Sequence, residues 1–363
     1  MKLSEIDKLY ISRCFELAQK GKGSASPNPL VGAVIVKNGK IIGEGYHKKY
    51  GGAHAEVNAI RKVGRDVAGS TLYCNLEPCC HTNKQTPPCV PLIIRSKIKR
   101  VVVSNLDPNK EVNGKGIGQL KESGIKVTTG ILENDGKELN KFYFKYAEEK
   151  LPYVTVKVAQ SSDGKISVSK NKQTWLTGKK SIKYVHKLRS EYAAILVGAG
   201  TVKIDNPLLT VRETKGRNPI RVIIDGKLSI PISSKVINCP DPQNTFIFTS
   251  YSASKRIADK LSNKGVRIFR LRTSKQNQLS IKSVLKVLAK QKITSVLVEG
   301  GAEIFSQFLE KNLFDKIIIL QSPKILGRGI IAFDTKKLKK NQLSNIEKIG
   351  EDIKFTYRKN LSD

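Results

Sequence analysis

The sequence predicts an α/β protein built from two successive domains, and three observations carry the prediction. β-branched, strand-like runs alternate with amphipathic, helix-like stretches along the whole chain, the pattern of helices packed on mostly parallel sheets. At 363 residues the chain is longer than an ordinary single domain. The alternation also restarts after Lys150-Leu151-Pro152, which sets the expected division at 1–149 and 150–363.

Taken in order, Leu3, Ile6, Leu9, Tyr10, Cys14 and Leu17 recur about once per helical turn, so residues 1–21 read as an amphipathic helix. Glu5, Asp7 and Glu16 interrupt it and exclude a signal peptide. The run 30–36 turns at Asn38-Gly39 into 41–46, a hairpin signature. A helix is expected over 54–62, then buried strands over 71–76 and 100–104 with a cysteine-bearing loop between them. A helix over 116–123 closed by Gly124, a strand over 125–128 and one charged helix over 133–149 complete the first half. In the second half, strands are expected over 153–159, 194–197, 220–224, 245–249, 266–269, 296–299 and 316–321, the last ending the sheet. Helices are expected over 181–191, 252–263, 280–291 and after Gly300-Gly301.

The net charge of +34 is the electrostatic footprint of a nucleic-acid binder. The lysines are spread along the whole chain, however, which favours a lysine-rich coding bias over a specific nucleic-acid partner. No run approaches the ~20 apolar residues that span a bilayer, so no membrane partner is expected and the protein reads as cytoplasmic. Of six cysteines, Cys79, Cys80 and Cys89 lie close together, which fits a metal site in a reducing compartment better than a disulfide framework.

The chemistry is concentrated in His54-Ala55-Glu56, Pro78-Cys79 and Pro87-Pro88-Cys89. One imidazole and two thiols make a zinc site with a position left for water, and a His-x-Glu upstream of such cysteines marks deaminases of nucleobase-like rings. His54, Cys79 and Cys89 are the expected ligands of one Zn²⁺, and Glu56 is the proton donor and acceptor. A cysteine at a helix N-terminus would favour its thiolate. Cys80 is an alternative ligand to Cys79, and His81 is expected to touch substrate. A structural zinc, or buried thiols without metal, is the competing reading; with only four histidines in the chain, the pattern argues against it. In the second half, Glu299-Gly300-Gly301-Ala302 joins a strand to a helix, where glycines let a phosphate approach backbone amides. Gly198-Ala199-Gly200-Thr201 makes a similar turn. Arg189 and Arg212 are candidates to clamp a phosphate, against the plain alternative of surface salt bridges.

Nine residues separate Cys79 from Cys89, where nucleobase deaminases commonly have two. The loop Leu76-Glu77-Pro78-Cys79 through Thr86-Pro87-Pro88-Cys89 resembles the bifunctional riboflavin-biosynthesis deaminase–reductase (RibD) family, as do Ser26 to Gly32, Gly43 to His47 and Asp107-Pro108-Asn109. The resemblance continues through Ser161 to Ile166, Trp175 to Gly178, His186 to Arg189, Val197 to Thr201, Asp205 to Arg212 and Val298 to Ala302, in family order.

It implies a cytidine-deaminase-like three-layer α/β/α domain followed by a dihydrofolate-reductase-like α/β domain that uses NADPH. It implies cofactor contacts at Ala159, Trp175, Thr201 and Asp205, and along Gly301, Ala302, Glu303, Ile304, Phe305, Ser306 and Gln307. Substrate contacts are implied at Asn28, His47 and His81 in the deaminase, and at Gln173, Arg189, Leu209, Arg212 and Glu299 in the reductase. The implied reactions are deamination of a pyrimidine ribotide and reduction of its ribosyl side chain by a homo-oligomer, dimer or tetramer. Gln173 and Gly226 stand where the family usually has serine, Gln160 where it has Met and Lys110 where it has Pro. These departures motivate the alternative of a deaminase with an inactive reductase domain. A lone nucleoside or tRNA deaminase would leave the second half without a role. An RNA-binding protein would require clustered basic and exposed aromatic residues, which the sequence lacks.

Overall fold

The computed structural model describes residues 3–82, 85–169, 171, 173–274, 278–333 and 343–359. The chain divides into two compact units, 1–150 and 151–363.

The first unit runs α1 (Leu3–Gln19), β1 (Gly32–Lys37), β2 (Lys40–Tyr46), α2 (Ala55–Val63), β3 (Thr71–Leu76), α3 (Cys89–Arg95), β4 (Arg100–Asn105), α4 (Lys115–Glu122), β5 (Lys126–Thr129), α5 (Glu133–Leu139) and α6 (Lys141–Glu149). Its sheet has the order β2-β1-β3-β4-β5. β1 is antiparallel to β2 and β3, while β3, β4 and β5 run parallel. Asn38 and Gly39 both have positive φ, 52° and 74°, which suits the tight turn of the β1–β2 hairpin.

Alternation along the strands makes the layers. Val34 and Val36 face α1 through Ile11, Cys14 and Leu17. Ala33 and Ile35 face the opposite layer, with Ala59 and Ile60 of α2, Ile93 of α3 and Leu120 of α4. Ile11, Ile35, Leu72 and Ile93 are fully buried, each contributing about 1.5–3 kcal/mol of apolar burial. Gly45 is where α2 touches the sheet: a Cβ there would lie 2.3 Å from the Ala55 carbonyl oxygen. The single helix expected over 133–149 is two helices. Asn140 interrupts it because its side chain accepts from Leu30 N at 2.7 Å and donates to Leu30 O at 2.9 Å, a tertiary pairing that helical periodicity does not reveal.

The second unit runs β6 (Tyr153–Gln160), β7 (Lys165–Ser167), α7 (Lys179–Glu191), β8 (Ala194–Gly198), α8 (Ala199–Asp205), β9 (Ile220–Ile224), β10 (Thr245–Ser250), α9 (Lys255–Asn263), β11 (Arg267–Leu271), α10 (Ile281–Lys290), β12 (Ser295–Gly300), α11 (Ala302–Glu310), β13 (Lys316–Gln321), β14 (Ile330–Ile331), β15 (Leu343–Ile349) and β16 (Asp352–Arg358). The main sheet has the order β11-β10-β9-β8-β12-β6-β13-β16-β15. It is parallel from β11 to β13, and β16 and β15 then add antiparallel.

β13 therefore does not end the sheet. Asp352, Lys354 and Thr356 point to the buried side of β16 and β15 is almost wholly exposed, so neither strand carries the apolar signal of a buried one. One face of this sheet packs on α10 and α11 through Leu285, Leu288, Phe305 and Phe308. The other packs on α9 through Ala258 and Leu261. Among the described residues, no helix is long and apolar enough to cross a membrane.

Two candidate active sites

In the first unit three chain segments converge. His54 is the N-cap of α2, Cys79 follows the end of β3, and Cys89 is the first residue of α3. The Cys89 and Val90 amides both donate to the Cys79 carbonyl, at 3.0 and 3.2 Å, which folds the long loop back on itself. His54 Nδ1 lies 3.4 Å from Cys79 Sγ and 3.3 Å from Cys89 Sγ, and the three ligand atoms all lie within 4.8 Å of one another. Zinc bonds of about 2.0 Å to nitrogen and 2.3 Å to sulfur, set tetrahedrally, place such atoms roughly 3.6 Å apart. The donor set and its spacing fit a zinc ion.

Thr86 Oγ1 lies 3.1 Å from His54 Nε2. That contact directs Nδ1 toward the thiols, an outer hydrogen bond of the kind that fixes a metal-bound imidazole. Glu56 sits in the first turn of α2, 3 % exposed, and its Oε2 has no hydrogen-bond partner. Burial raises its pKa, because the charged carboxylate is disfavoured away from water.

Asn28 and His47 are drawn to the same place. His47 is buried, and its Nδ1 lies 3.1 Å from Ala53 O, so Nδ1 donates. Nε2 then accepts from Asn28 Nδ2 at 3.1 Å. The His47 and His54 rings meet edge to face with centroids 5.5 Å apart, and burial lowers the His47 pKa. Cys80 turns away, its Sγ 3.8 Å from Glu111 O, outside the group formed by His54, Cys79 and Cys89. The His81 Nδ1 is buried without a partner.

Behind the cysteines, Glu77 accepts from the amides of Asp107, Gly114 and Ile117 at 3.2, 2.9 and 3.2 Å, tying the Pro78-Cys79 turn to α4. Asp107 accepts from Tyr143 Oη at 2.8 Å, and burial pushes its pKa up to about 6. Sequence reading gave neither Thr86 nor Glu77 a role, since both are ordinary residues inside a loop motif.

In the second unit Glu299 is the penultimate residue of β12, with its side chain 6 % exposed. Arg189 from α7 grips it with Nε and Nη2, both at 2.8 Å, and Lys157 Nζ from β6 stands 3.5 Å away. Burial alone would raise the Glu299 pKa; Arg189 and Lys157 overcome it and bring it down to about 2. The guanidinium fork of Arg189 is thus engaged by Glu299, and its Nη1 donates to Thr210 O at 3.2 Å. Arg212 Nη1 donates to Thr210 Oγ1 at 2.8 Å, and its side chain is otherwise toward solvent. The structure therefore gathers Arg189, Glu299 and the 209–212 loop.

Lys157 is a residue that sequence reading missed. Its signal was a charge inside the apolar run Tyr153 to Ala159. Thr201, on α8, faces the β12 end, where a Cβ on Gly300 would fall 2.6 Å from its Oγ1. Gly301 caps α11 with φ 88°, presenting Ala302 to Gln307 on the first turns of that helix. Of these, Ile304 and Phe305 are buried in the core and the Gln307 Oε1 is buried without a partner. Asp205 ends α8, with a pKa raised by burial. Ala159 lies near the end of β6. Gln173 is exposed, and Trp175 is 69 % exposed with its carbonyl accepting from Lys324 Nζ.

Residues 4–105 match the model of the cytidine and deoxycytidylate deaminase zinc-binding region, and residues 152–355 match that of the RibD C-terminal domain. The riboflavin biosynthesis protein RibD of Aquifex aeolicus is 41% identical over 98% of this chain and 99% of its own length. Acinetobacter baumannii RibD superposes with a TM-score of 0.89 at 33% identity, covering 98% of this chain and 99% of that one. A diaminohydroxyphosphoribosylaminopyrimidine deaminase/5-amino-6-(5-phosphoribosylamino)uracil reductase from Thermotoga maritima superposes at 0.85 with 38% identity and the same coverage. The folds are those of a cytidine-deaminase-like domain and a dihydrofolate-reductase-like domain. The second unit is matched as fully as the first, and none of these likenesses favours an inactive reductase.

Proposed function

The chain belongs to the RibD family and is a bifunctional deaminase–reductase of riboflavin biosynthesis, and on that premise we propose the substrate, cofactors and residue roles. The first unit deaminates 2,5-diamino-6-ribosylamino-4(3H)-pyrimidinone 5′-phosphate, taking up water and releasing ammonia. The second reduces the ribosyl side chain of the product to ribityl with NADPH. The observation that carries the first step is a buried carboxyl oxygen of Glu56 with no partner, beside the His54, Cys79 and Cys89 group.

His54, Cys79 and Cys89 would hold one zinc ion. When bound, zinc supplies a Lewis acid that lowers the pKa of water toward about 7. Glu56 takes one proton from water and passes it to the ring nitrogen, then carries the remaining hydroxyl proton to the amine, which leaves as ammonia. Asn28 and the neutral His47 orient the substrate beside His54, and His81 offers a further contact.

In the second unit the amides at the start of α11, after Gly301, support a cofactor phosphate. Thr201, Asp205, Ala159 and Trp175 frame the rest of NADPH, which carries the hydride. Arg212 supplies the charge for the substrate phosphate, with Gln173 and Leu209 alongside. Glu299 stays ionised between Arg189 and Lys157 and orients the ribosyl hydroxyls, and Lys157 Nζ supplies the proton that accompanies hydride transfer. The clustering of Cys79, Cys80 and Cys89 supports a reducing, cytoplasmic setting, and the family resemblance supports a homo-oligomer, which sedimentation would measure.

The test is to incubate the protein with the diaminopyrimidine ribotide, with and without NADPH, following ammonia and NADPH absorbance. Ammonia without NADPH oxidation would refute the reductase step. Deamination that survives zinc chelation would refute the metal role. Lys157→Ala that still oxidises NADPH at the wild-type rate would remove Lys157 from proton transfer.

A further inference from the structure

His186 lies on α7, one helical turn before Arg189, and is only 4 % exposed. The backbone amide of Arg212 points at its Nδ1 over 2.9 Å. An amide can only donate, so Nδ1 must carry the lone pair and the ring proton must sit on Nε2. The loop that presents Arg212 is thus suspended from α7 at two places. His186 takes the Arg212 amide, and Arg189 Nη1 takes the Thr210 carbonyl. Immediately before them Leu209 is held at φ 53°, a left-handed conformation that a non-glycine residue keeps only when its surroundings impose it.

We propose that His186 is a positioning residue of the reductase, acting through Arg212: its Nδ1 fixes the loop that brings the Arg212 side chain to an anionic, phosphate-bearing substrate. The proposal deepens the reductase reading and rests on it. Facing the ring are Arg189 from α7, Arg212 and Glu213 from the loop, and Glu299 from β12; burial, then the two arginines, lower the His186 pKa. The neutral ring is therefore the working form. Protonation as the pH falls puts an N–H where the Arg212 amide needs an acceptor, and a cation between two guanidinium groups. The loop is then released and substrate affinity drops.

Two variants separate this from a merely structural role. In His186→Asn an amide oxygen replaces Nδ1 without a titratable group, and in His186→Leu the acceptor is lost. His186→Leu is expected to raise the KM for the deaminated ribotide about tenfold with kcat within about twofold, while His186→Asn stays within about threefold of wild type. Calorimetry with ribose 5-phosphate gives a readout independent of turnover. As the pH falls below about 6.5, wild-type affinity should fall more steeply than that of His186→Asn. The protonation of the phosphate itself affects both proteins alike. Equal KM values for the two variants, coincident pH profiles, or no ribose 5-phosphate binding by the wild type would each overturn the proposal. Failure of the wild type to oxidise NADPH would instead refute the reductase reading, leaving calorimetry to decide on His186.

Discussion

Glu56 and Glu299 are both removed from water, one 3 % exposed and the other with its side chain 6 % exposed, yet their surroundings drive them in opposite directions. Glu56 has an oxygen without a partner, and desolvation raises its pKa. Glu299 is gripped by Arg189 and faced by Lys157, and it stays ionised down to about pH 2. The difference separates the group proposed to move protons from one that holds a fixed charge. Burial alone does not decide a carboxylate's role; the cations that arrive with it do.

The contrast breaks most sharply at Glu56. Glu56→Gln keeps the shape and removes the base, so ammonia release should fall by about 10²–10⁴-fold. NADPH oxidation with deaminated substrate should not change. Loss of both activities in that variant would mean that the units are not chemically separate. Cys89→Ser comes next. Metal analysis should show zinc content falling well below one per chain together with deamination, while the reductase survives; full zinc occupancy would remove Cys89 from the ligand set.

At Glu299 the expected effects are on stability. Arg189→Ala strands a buried carboxylate beside Lys157 alone and should cost the second unit about 3 kcal/mol in urea unfolding. An unchanged midpoint would show that Lys157 and solvent compensate. The sign of the pH effect follows from the depressed pKa. Stabilisation from Glu299 is fully present above about pH 4.5 and is lost as the pH falls through about 2. Acid unfolding of Glu299→Gln should therefore be shallower than wild type over that interval; identical slopes would deny the ion pair its part. The smallest effect is expected at Cys80, which turns away from the metal group. Cys80→Ser should keep its zinc and deaminate within about twofold of wild type.

The layered α/β folds were legible wherever apolar residues alternated with a period that one face could bury, as in the β1–β2 hairpin and the strand over 71–76. Reading failed where a tertiary partner set the outcome. Asn140 breaks a helix because its amide pairs with Leu30, and β16 buries Asp352, Lys354 and Thr356, which look like surface residues. The choice between Cys79 and Cys80 was likewise open until the fold directed their side chains apart.

Taken alone, the sequence determined the alternating α/β order and the gathering of His54, Glu56, Cys79 and Cys89. Those residues lie within one α/β segment, at a helix start, a strand end and a second helix start, so local structure nearly suffices to bring them together. Only the tertiary structure decided the surroundings of Glu299. Arg189 is 110 residues away in the chain, and Lys157 reaches it because β6 pairs directly with β12 in the parallel sheet. Parallel pairing sets strands distant in sequence side by side, and no local pattern reports which charges will meet there.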